Sequence, residues 1–267
     1  ALLGKIRKIG YTGSVELVCY ENDEKVLGVL AKNLASIRDH DFTFEIRGEN
    51  YITSQDFEHS SSFFEHKESE TYNLIIGNPP YKKIPKDAPE ATHMEDVCYG
   101  APNLYFLFWA MGIHNLKEGG ELVYVIPRSW TSGAYFDRFR KYMLSHCVIT
   151  DIHIFGSRDK VFDGETVLQE TMIIKVRKDS IRPKKIRISS SETSDFSDLR
   201  YIDVDYDTVV SNNGYVYLVT NEKEAKVLST LGKLPFTLVS DNLRMKTGII
   251  VDFRTREVLR NEPSNDT

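Results

Sequence analysis

Tyr72-Asn73-Leu74-Ile75-Ile76-Gly77-Asn78-Pro79-Pro80-Tyr81 is a short apolar run cut off by two prolines. Proline fixes φ and removes a backbone donor, so neither a central strand nor a helix continues through it. The run therefore reads as a compact, buried strand, and Asn78–Pro80 as the loop that leaves its carboxyl end.

Strand and helix patterns alternate on both sides of this run. Upstream, Val15–Tyr20 reads as a strand. Residues 24–37 place Val26, Leu27, Leu30, Leu34 and Ile37 at helical spacing, which predicts an amphipathic helix. A second strand is expected over Phe42–Arg47 or at Tyr51-Ile52, and residues 57–70 read as a weak helix or loop. Downstream, residues 82–102 lack periodicity and read as a long loop, a class that often binds ligands or covers a site. A buried helix over 103–116, the turn Gly119-Gly120, a strand over 121–126 and a helix over 135–144 follow. Residues 148–155 and 171–176 read as strands without a convincing helix between them, which suggests an antiparallel hairpin near the sheet edge. This order predicts an α/β fold with a mostly parallel sheet. After residue 180 the chain is polar and irregular to 213, then carries a short helix over 222–231 and a loop and strand over 246–254. The domain boundary is placed near 180–210, giving domains 1–180 and 181–267.

Composition narrows the function. The chain has 267 residues, 41% hydrophobic and 27% charged, which excludes a disordered or collagen-like chain. No apolar run approaches ~18 residues, so no membrane helix is expected. Cys19, Cys98 and Cys147 are far apart, which gives neither a zinc ribbon nor a disulfide scaffold and fits a reducing cytoplasm. The net charge of −5 does not demand a nucleic-acid partner, although Lys175 to Arg187 holds seven basic residues against Asp179 alone. That stretch reads equally as a DNA groove or as a solvated edge strand whose lysines discourage pairing. The chain opens on Ala1 rather than Met, and Ala1-Leu2-Leu3-Gly4-Lys5-Ile6 reads as the inside of a helix. No signal peptide precedes it, and a piece of a longer polypeptide is expected.

The strongest chemical signal is Asn78-Pro79-Pro80-Tyr81. In open α/β sheets, ligands bind beyond the carboxyl ends of the strands. The Asn78 amide oxygen and the Pro79 carbonyl are acceptors on a stiff loop. An exocyclic amine on an aromatic base is a poor nucleophile because its lone pair is delocalised. Accepting both its protons draws the nitrogen toward tetrahedral geometry and frees that pair. Tyr81 offers a ring on which a planar base stacks, worth roughly 1–3 kcal/mol per base.

Asn-Pro-Pro-Tyr after a strand resembles the catalytic motif of the N6-adenine DNA methyltransferases of restriction–modification systems, which use S-adenosylmethionine. The likeness covers most of the chain, in the order cofactor region, catalytic region, target-recognition region. It implies a Rossmann-like methyltransferase sheet with an antiparallel edge hairpin, followed by the start of a recognition region. It implies catalytic roles for Asn78, Pro79, Pro80 and Tyr81, with Asn78 also beside the cofactor. By the same resemblance Glu21, ending the strand Val15–Tyr20, binds the ribose hydroxyls. Gln55-Asp56-Phe57 resembles the next cofactor motif, with Asp56 accepting from the cofactor's adenine and Phe57 beside its ring; an Asp that caps a helix is the plainer alternative. Lys160-Val161-Phe162-Asp163 resembles the segment whose aromatic ring holds the flipped target base with Tyr81; otherwise Phe162 is a core residue in a hairpin. Arg128, Ser129 and Trp130 are expected near the cleft, whereas the aromatics from Tyr105 to Trp109 read as core. Lys82, Lys83, Lys246, Arg254 and Arg256 are expected against DNA phosphates. The implied partners are double-stranded DNA, and a nuclease or a further N-terminal segment, in a prokaryotic cytoplasm; no metal or membrane is implied.

One departure from the family pattern is at the front. No glycine-rich first cofactor motif is present, since Gly10-Tyr11-Thr12-Gly13 follows no strand, so the central strand and its loop are expected from another segment. Two other functions stay open. One is methylation of a glutamine amide in a protein, which uses the same tetrapeptide but usually ends soon after the sheet. The other is a non-catalytic DNA-binding fragment or subunit.

Overall fold

A computed structural model describes residues 2–57, 71–156, 170–193, 195–236, 238 and 240–243. Most of the segment 57–70, Phe162, Lys246, Arg254, Arg256 and the strand expected over 246–254 lie outside the described residues. The chain divides into two units, residues 1–225 and 226–267.

The first unit opens with helix α1 (Leu2–Lys8), strand β1 (Val15–Tyr20), helix α2 (Glu24–Ala35) and strand β2 (Phe42–Arg47). Asp23 caps α2, its carboxylate accepting from Lys25 N at 2.9 Å. The two strands pair in parallel as a separate two-stranded sheet, as a strand–helix–strand unit requires. None of the α2 side chains is fully buried, although its apolar stripe is the one the periodicity predicts.

Strand β3 (Tyr72–Gly77) begins a second sheet. After it come the short helix α3 (Pro89–His93), helix α4 (Leu104–His114), strand β4 (Leu116–Pro127), helix α5 (Asp137–His146), and strands β5 (Cys147–Phe155), β6 (Thr171–Lys178), β7 (Lys185–Ser191) and β8 (Arg200–Asp205). The order across this six-stranded sheet is β3-β4-β6-β5-β7-β8. The pairings run β3, β4, β5 and β7 in one direction and β6 and β8 against them. The fold is thus the mixed α/β class that the alternating pattern predicts. Two short helices, α6 (Tyr206–Val209) and α7 (Glu222–Leu231), follow; α7 runs across the division between the units.

Three sequence expectations need correcting. The hairpin β5–β6 is interior rather than marginal, because β6 inserts between β4 and β5 and the sheet edges are β3 and β8. Residues 181–213 are not irregular. Ile186 and Ile188 are buried between outward Lys185, Arg187 and Ser189, a period-two strand whose polar face hides it from a search for apolar runs. The sheet therefore continues past residue 180, and the compact unit ends at Ala225. Finally, β3 is an edge strand: Leu74 and Ile76 are 43% and 55% exposed, so the run that looked buried is open along one side.

The core sits around α4. Its sequence is apolar on every face, the mark of a fully enclosed helix, and eight of its eleven residues are buried. Trp109 stands edge-on to Trp130 at 4.8 Å and contacts Phe139 at 4.9 Å between ring centroids. Lys178 Nζ donates to the carbonyls of Ile113, His114 and Leu116 at 2.9–3.4 Å, closing the carboxyl end of α4.

Candidate active site

One cavity of about 830 Å³ runs along β1 and β3 and reaches the carboxyl ends of β1, β2 and β3; ligand sites usually measure ~300–1,000 Å³. Glu21 and Asn22 reach it from β1, Glu49, Asn50 and Tyr51 from β2, and Gly77, Asn78, Pro79 and Pro80 from β3. A Cβ on Gly77 would meet the Tyr124 ring at 3.2 Å, so any larger residue there requires that ring to shift by a few tenths of an ångström. Asn78 is exposed at the cavity and Pro79 is buried beneath it.

The loop that carries these residues is fixed from two sides. The Tyr81 hydroxyl lies 2.8 Å from Asn78 Oδ1 and 3.1 Å from the Val125 carbonyl, and donates its one proton between them. Burial pushes the phenol up to about 12, so it stays protonated and a donor at neutral pH. Asn78 Oδ1 keeps a second lone pair for another donor. Beyond the motif, Asn103 Nδ2 donates to the Tyr81 carbonyl at 3.2 Å, Leu104 N to the Lys82 carbonyl at 2.8 Å, and Ile84 N to the Pro102 carbonyl at 2.8 Å. The motif is thereby tied to the start of α4, whose Leu104 and Phe108 form another wall of the cavity. Tyr81 meets Tyr105 edge-on at 6.2 Å, and the Tyr105 hydroxyl pairs with Ser129 Oγ at 3.2 Å.

The structure gathers Glu21, Asn78, Pro79 and Pro80 around the cavity, with Tyr81 adjoining them. Glu21 is half-buried and accepts from Asp23 N at 2.8 Å through one carboxylate oxygen. Gln55, Asp56 and Phe57 are not among the residues lining it. Gln55 is consumed in a buried network: its side chain donates to the Tyr51 carbonyl at 2.6 Å and accepts from Asn115 Nδ2 at 2.8 Å, while Asn115 Oδ1 accepts from the Tyr51 hydroxyl at 3.0 Å. The Phe57 ring packs between His114 and Tyr142, at 5.6 and 5.5 Å. From this side of the fold it is Asn50 and Tyr51 that line the cavity. The sequence signal for these two was available: they follow β2 as Glu21 follows β1 and Asn78 follows β3.

Lys82 and Lys83 are exposed just past the motif, with Lys83 Nζ 5.8 Å from the Tyr135 ring. Arg128 is turned away into the fold, donating to the Phe155 carbonyl and pairing with Glu170 at 3.2 Å. Trp130 is core. The basic stretch from Lys175 to Arg187 is not an edge strand, because β6 and β7 each have a strand on both sides, and several of its cations are paired with acids. Lys175 lies between Glu121 and Asp151 at 3.4 and 3.0 Å, Arg177 pairs with Asp179 at 3.1 Å, and Arg187 with Asp203 at 3.5 Å.

The electrostatics of the cavity fit a cationic ligand. Glu16, Glu21, Glu49 and Glu90 line it, and no Lys or Arg does among the described residues. Leu104, Phe108 and Tyr51 add apolar and aromatic surface to these acidic walls. No group of three or more metal-ligating side chains occurs among the described residues, and no described helix is long and apolar enough to cross a membrane.

Comparison with known proteins agrees with this arrangement. The family model for the Eco57I restriction-modification methylase matches residues 15–162. The chain is similar to the Type II methyltransferase M.PstI of Providencia stuartii, 35% identical over 254 residues, covering 93% of this chain and 50% of that protein. It is also similar to the Type II methyltransferase M.BsuBI of Bacillus subtilis, 30% identical over 265 residues, covering 96% and 52%. The chain thus spans about half the length of these relatives. The fold resembles that of the type IIG restriction endonuclease BpuSI, with a TM-score of 0.52 and 11% identity over 76% of this chain and 29% of that one.

Proposed function

Because this chain belongs to the Eco57I restriction-modification methylase family, we propose that it transfers the methyl group of S-adenosylmethionine to N6 of adenine in double-stranded DNA, as the modifying activity of a restriction–modification system. The observation that carries this reading is the exposed Asn78 amide, on a proline-stiffened loop at the mouth of an acidic cavity.

When bound, S-adenosylmethionine supplies a methyl group made electrophilic by its sulfonium. Glu21, Asn50 and Glu90 hold its nucleoside, Leu104 and Phe108 flank it, and Pro80 and Asn78 border its reactive end. Among the described residues that line the cavity, none is a cation to meet its carboxylate. The target adenine is flipped out of the duplex, at a cost of a few kcal/mol. Asn78 Oδ1 and the Pro79 carbonyl then accept the two protons of its amine. Tyr81 keeps the Asn78 amide oriented and gives the base an aromatic neighbour. Lys82 and Lys83 meet the DNA backbone beside the flipped nucleotide, and Phe162, Lys246, Arg254 and Arg256 belong to the same DNA-binding role. Positioning supplies most of the acceleration, because the loop is stiff before substrate arrives.

The direct test is transfer of labelled methyl to duplex DNA followed by hydrolysis to nucleosides. Label is expected in N6-methyladenine. Label in a glutamine side chain of an added protein, or in cytosine alone, overturns the reading. DNA binding without transfer, even when an upstream segment is supplied, supports a non-catalytic subunit.

Tyr81→Ala is expected to weaken retention of the flipped base by about 1–3 kcal/mol. With 2-aminopurine at the target position, the fluorescence rise on binding should shrink severalfold. An undiminished rise would remove Tyr81 from contact with the base.

A further inference from the structure

We propose that Glu90 is the acceptor that selects the amino group of the cofactor's base, an inference that rests on the cofactor reading above. Glu90 belongs to the loop that leaves the catalytic motif, but α3 returns it to the cavity wall, where it meets Asn50 from the end of β2. Asn50 Nδ2 donates to Glu90 Oε1 at 2.7 Å. On its other side, Asn50 Oδ1 accepts from Ile52 N at 3.0 Å and from Thr53 N at 3.2 Å.

This arrangement fixes the Asn50 amide. Reversing it would set an NH2 group against two backbone N–H donors, so the oxygen faces the turn and the nitrogen faces Glu90. Both lone pairs of the amide oxygen are engaged. Asn50 therefore presents no acceptor to the cavity, although it stands at the end of a parallel strand where one is expected. The neighbouring Tyr51 hydroxyl is turned away to Asn115. The acceptor at this wall is the Glu90 carboxylate, oriented through one oxygen and open to a further donor through the rest of its lone pairs.

The nucleoside's orientation follows from the reaction. The methyl-bearing end belongs beside Asn78, and Glu21 takes the ribose hydroxyls. The base then falls at the wall of Asn50, Tyr51, Leu104 and Phe108, where the Tyr51 and Phe108 rings lie 5.4 Å apart and 32° from coplanar. A 6-amino purine donates to Glu90 there. A 6-oxo purine in the same pose sets its carbonyl oxygen against the carboxylate, and its remaining donor, N1–H, is displaced to the next ring position, so the base must shift to keep a hydrogen bond.

The test is a pair of equilibrium titrations, read by calorimetry, with S-adenosylhomocysteine and its 6-oxo counterpart S-inosylhomocysteine. The wild-type chain is expected to prefer the amino form by roughly 10- to 100-fold. In Glu90→Gln the side-chain oxygen goes to Asn50 and the NH2 faces the base, so the preference falls to near unity or inverts. Glu90→Ala should lose the preference without gaining affinity for the oxo form. Thermal unfolding midpoints serve as the check that each variant is folded. If wild type binds the amino form but both variants keep its preference, or if wild type itself shows none, the Glu90 assignment fails and the cofactor reading stands. If wild type binds neither nucleoside even when an upstream segment is supplied, the cofactor reading fails, and the assignment with it.

Discussion

Asn78→Ala is expected to lower methyl transfer by on the order of 10²–10³-fold while leaving cofactor and DNA affinity nearly unchanged. The magnitude follows from removing one preorganised polar group aimed at charge that develops in the transition state. As the amine nitrogen bonds to carbon it becomes cationic, and its protons become stronger donors. The Asn78 oxygen therefore gains interaction energy on the way to the transition state, and the loss appears in turnover rather than in binding. The variant also frees the Tyr81 hydroxyl, which retains the Val125 carbonyl at 3.1 Å, so the loop should keep its shape. Single-turnover transfer, with binding measured separately, distinguishes the outcomes. A variant that transfers at the wild-type rate would refute the role given to Asn78. One that merely fails to bind DNA would assign Asn78 to recognition instead.

The largest effect on stability is expected at Trp109. Trp109→Ala empties a fully buried site against Trp130 and Phe139, and should cost about 3–5 kcal/mol. Trp109→Phe should cost much less. The Trp109 Nε1 is buried without a hydrogen-bond partner among the described residues. Removing that unmade bond returns about 1–3 kcal/mol against the lost ring area. Denaturant midpoints at unchanged m-value report both variants. Equal midpoints for Trp109→Ala and wild type would contradict the core described above. The prediction bears on function because α4 carries Leu104 and Phe108 on the cavity wall, and its first turn holds the loop after the motif.

The two sheets have a further consequence. Among the described residues, β1 pairs only with β2 and β3 only with β4, and both strands line the same cavity. Leu74 and Ile76 are exposed on the open side of β3. The cavity is therefore lined along most of β1 and β3 as well as at their ends.

Local chemistry was legible in the residues themselves. The strand Tyr72–Gly77 and its stop at Asn78 follow from an apolar run and two prolines, both properties of adjacent residues. The acid at the end of Val15–Tyr20 and the enclosed helix α4 follow from period and composition in the same way. The strands β7 and β8 were obscured because a half-polar strand carries few apolar residues, and only pairing with β5 reveals its face.

What periodicity cannot record is which distant side chains share a wall. Asn50 and Glu90 are 40 positions apart, on a strand end and a returning loop, and although a strand end marks Asn50, nothing local marks Glu90 or pairs the two. Their pairing depends on the path by which 82–103 folds back across the cavity, which is set by packing against α4 and α5. The same holds for Asp56 and Phe57: their sequence resembles a cofactor motif, yet the buried bonds among Tyr51, Gln55 and Asn115 turn that segment toward the core. The sequence thus set the elements and the reactive loop, because those depend on neighbours along the chain. Tertiary packing chose the acceptors around the cavity, because a hydrogen bond needs two groups within about 3 Å whatever their separation in sequence.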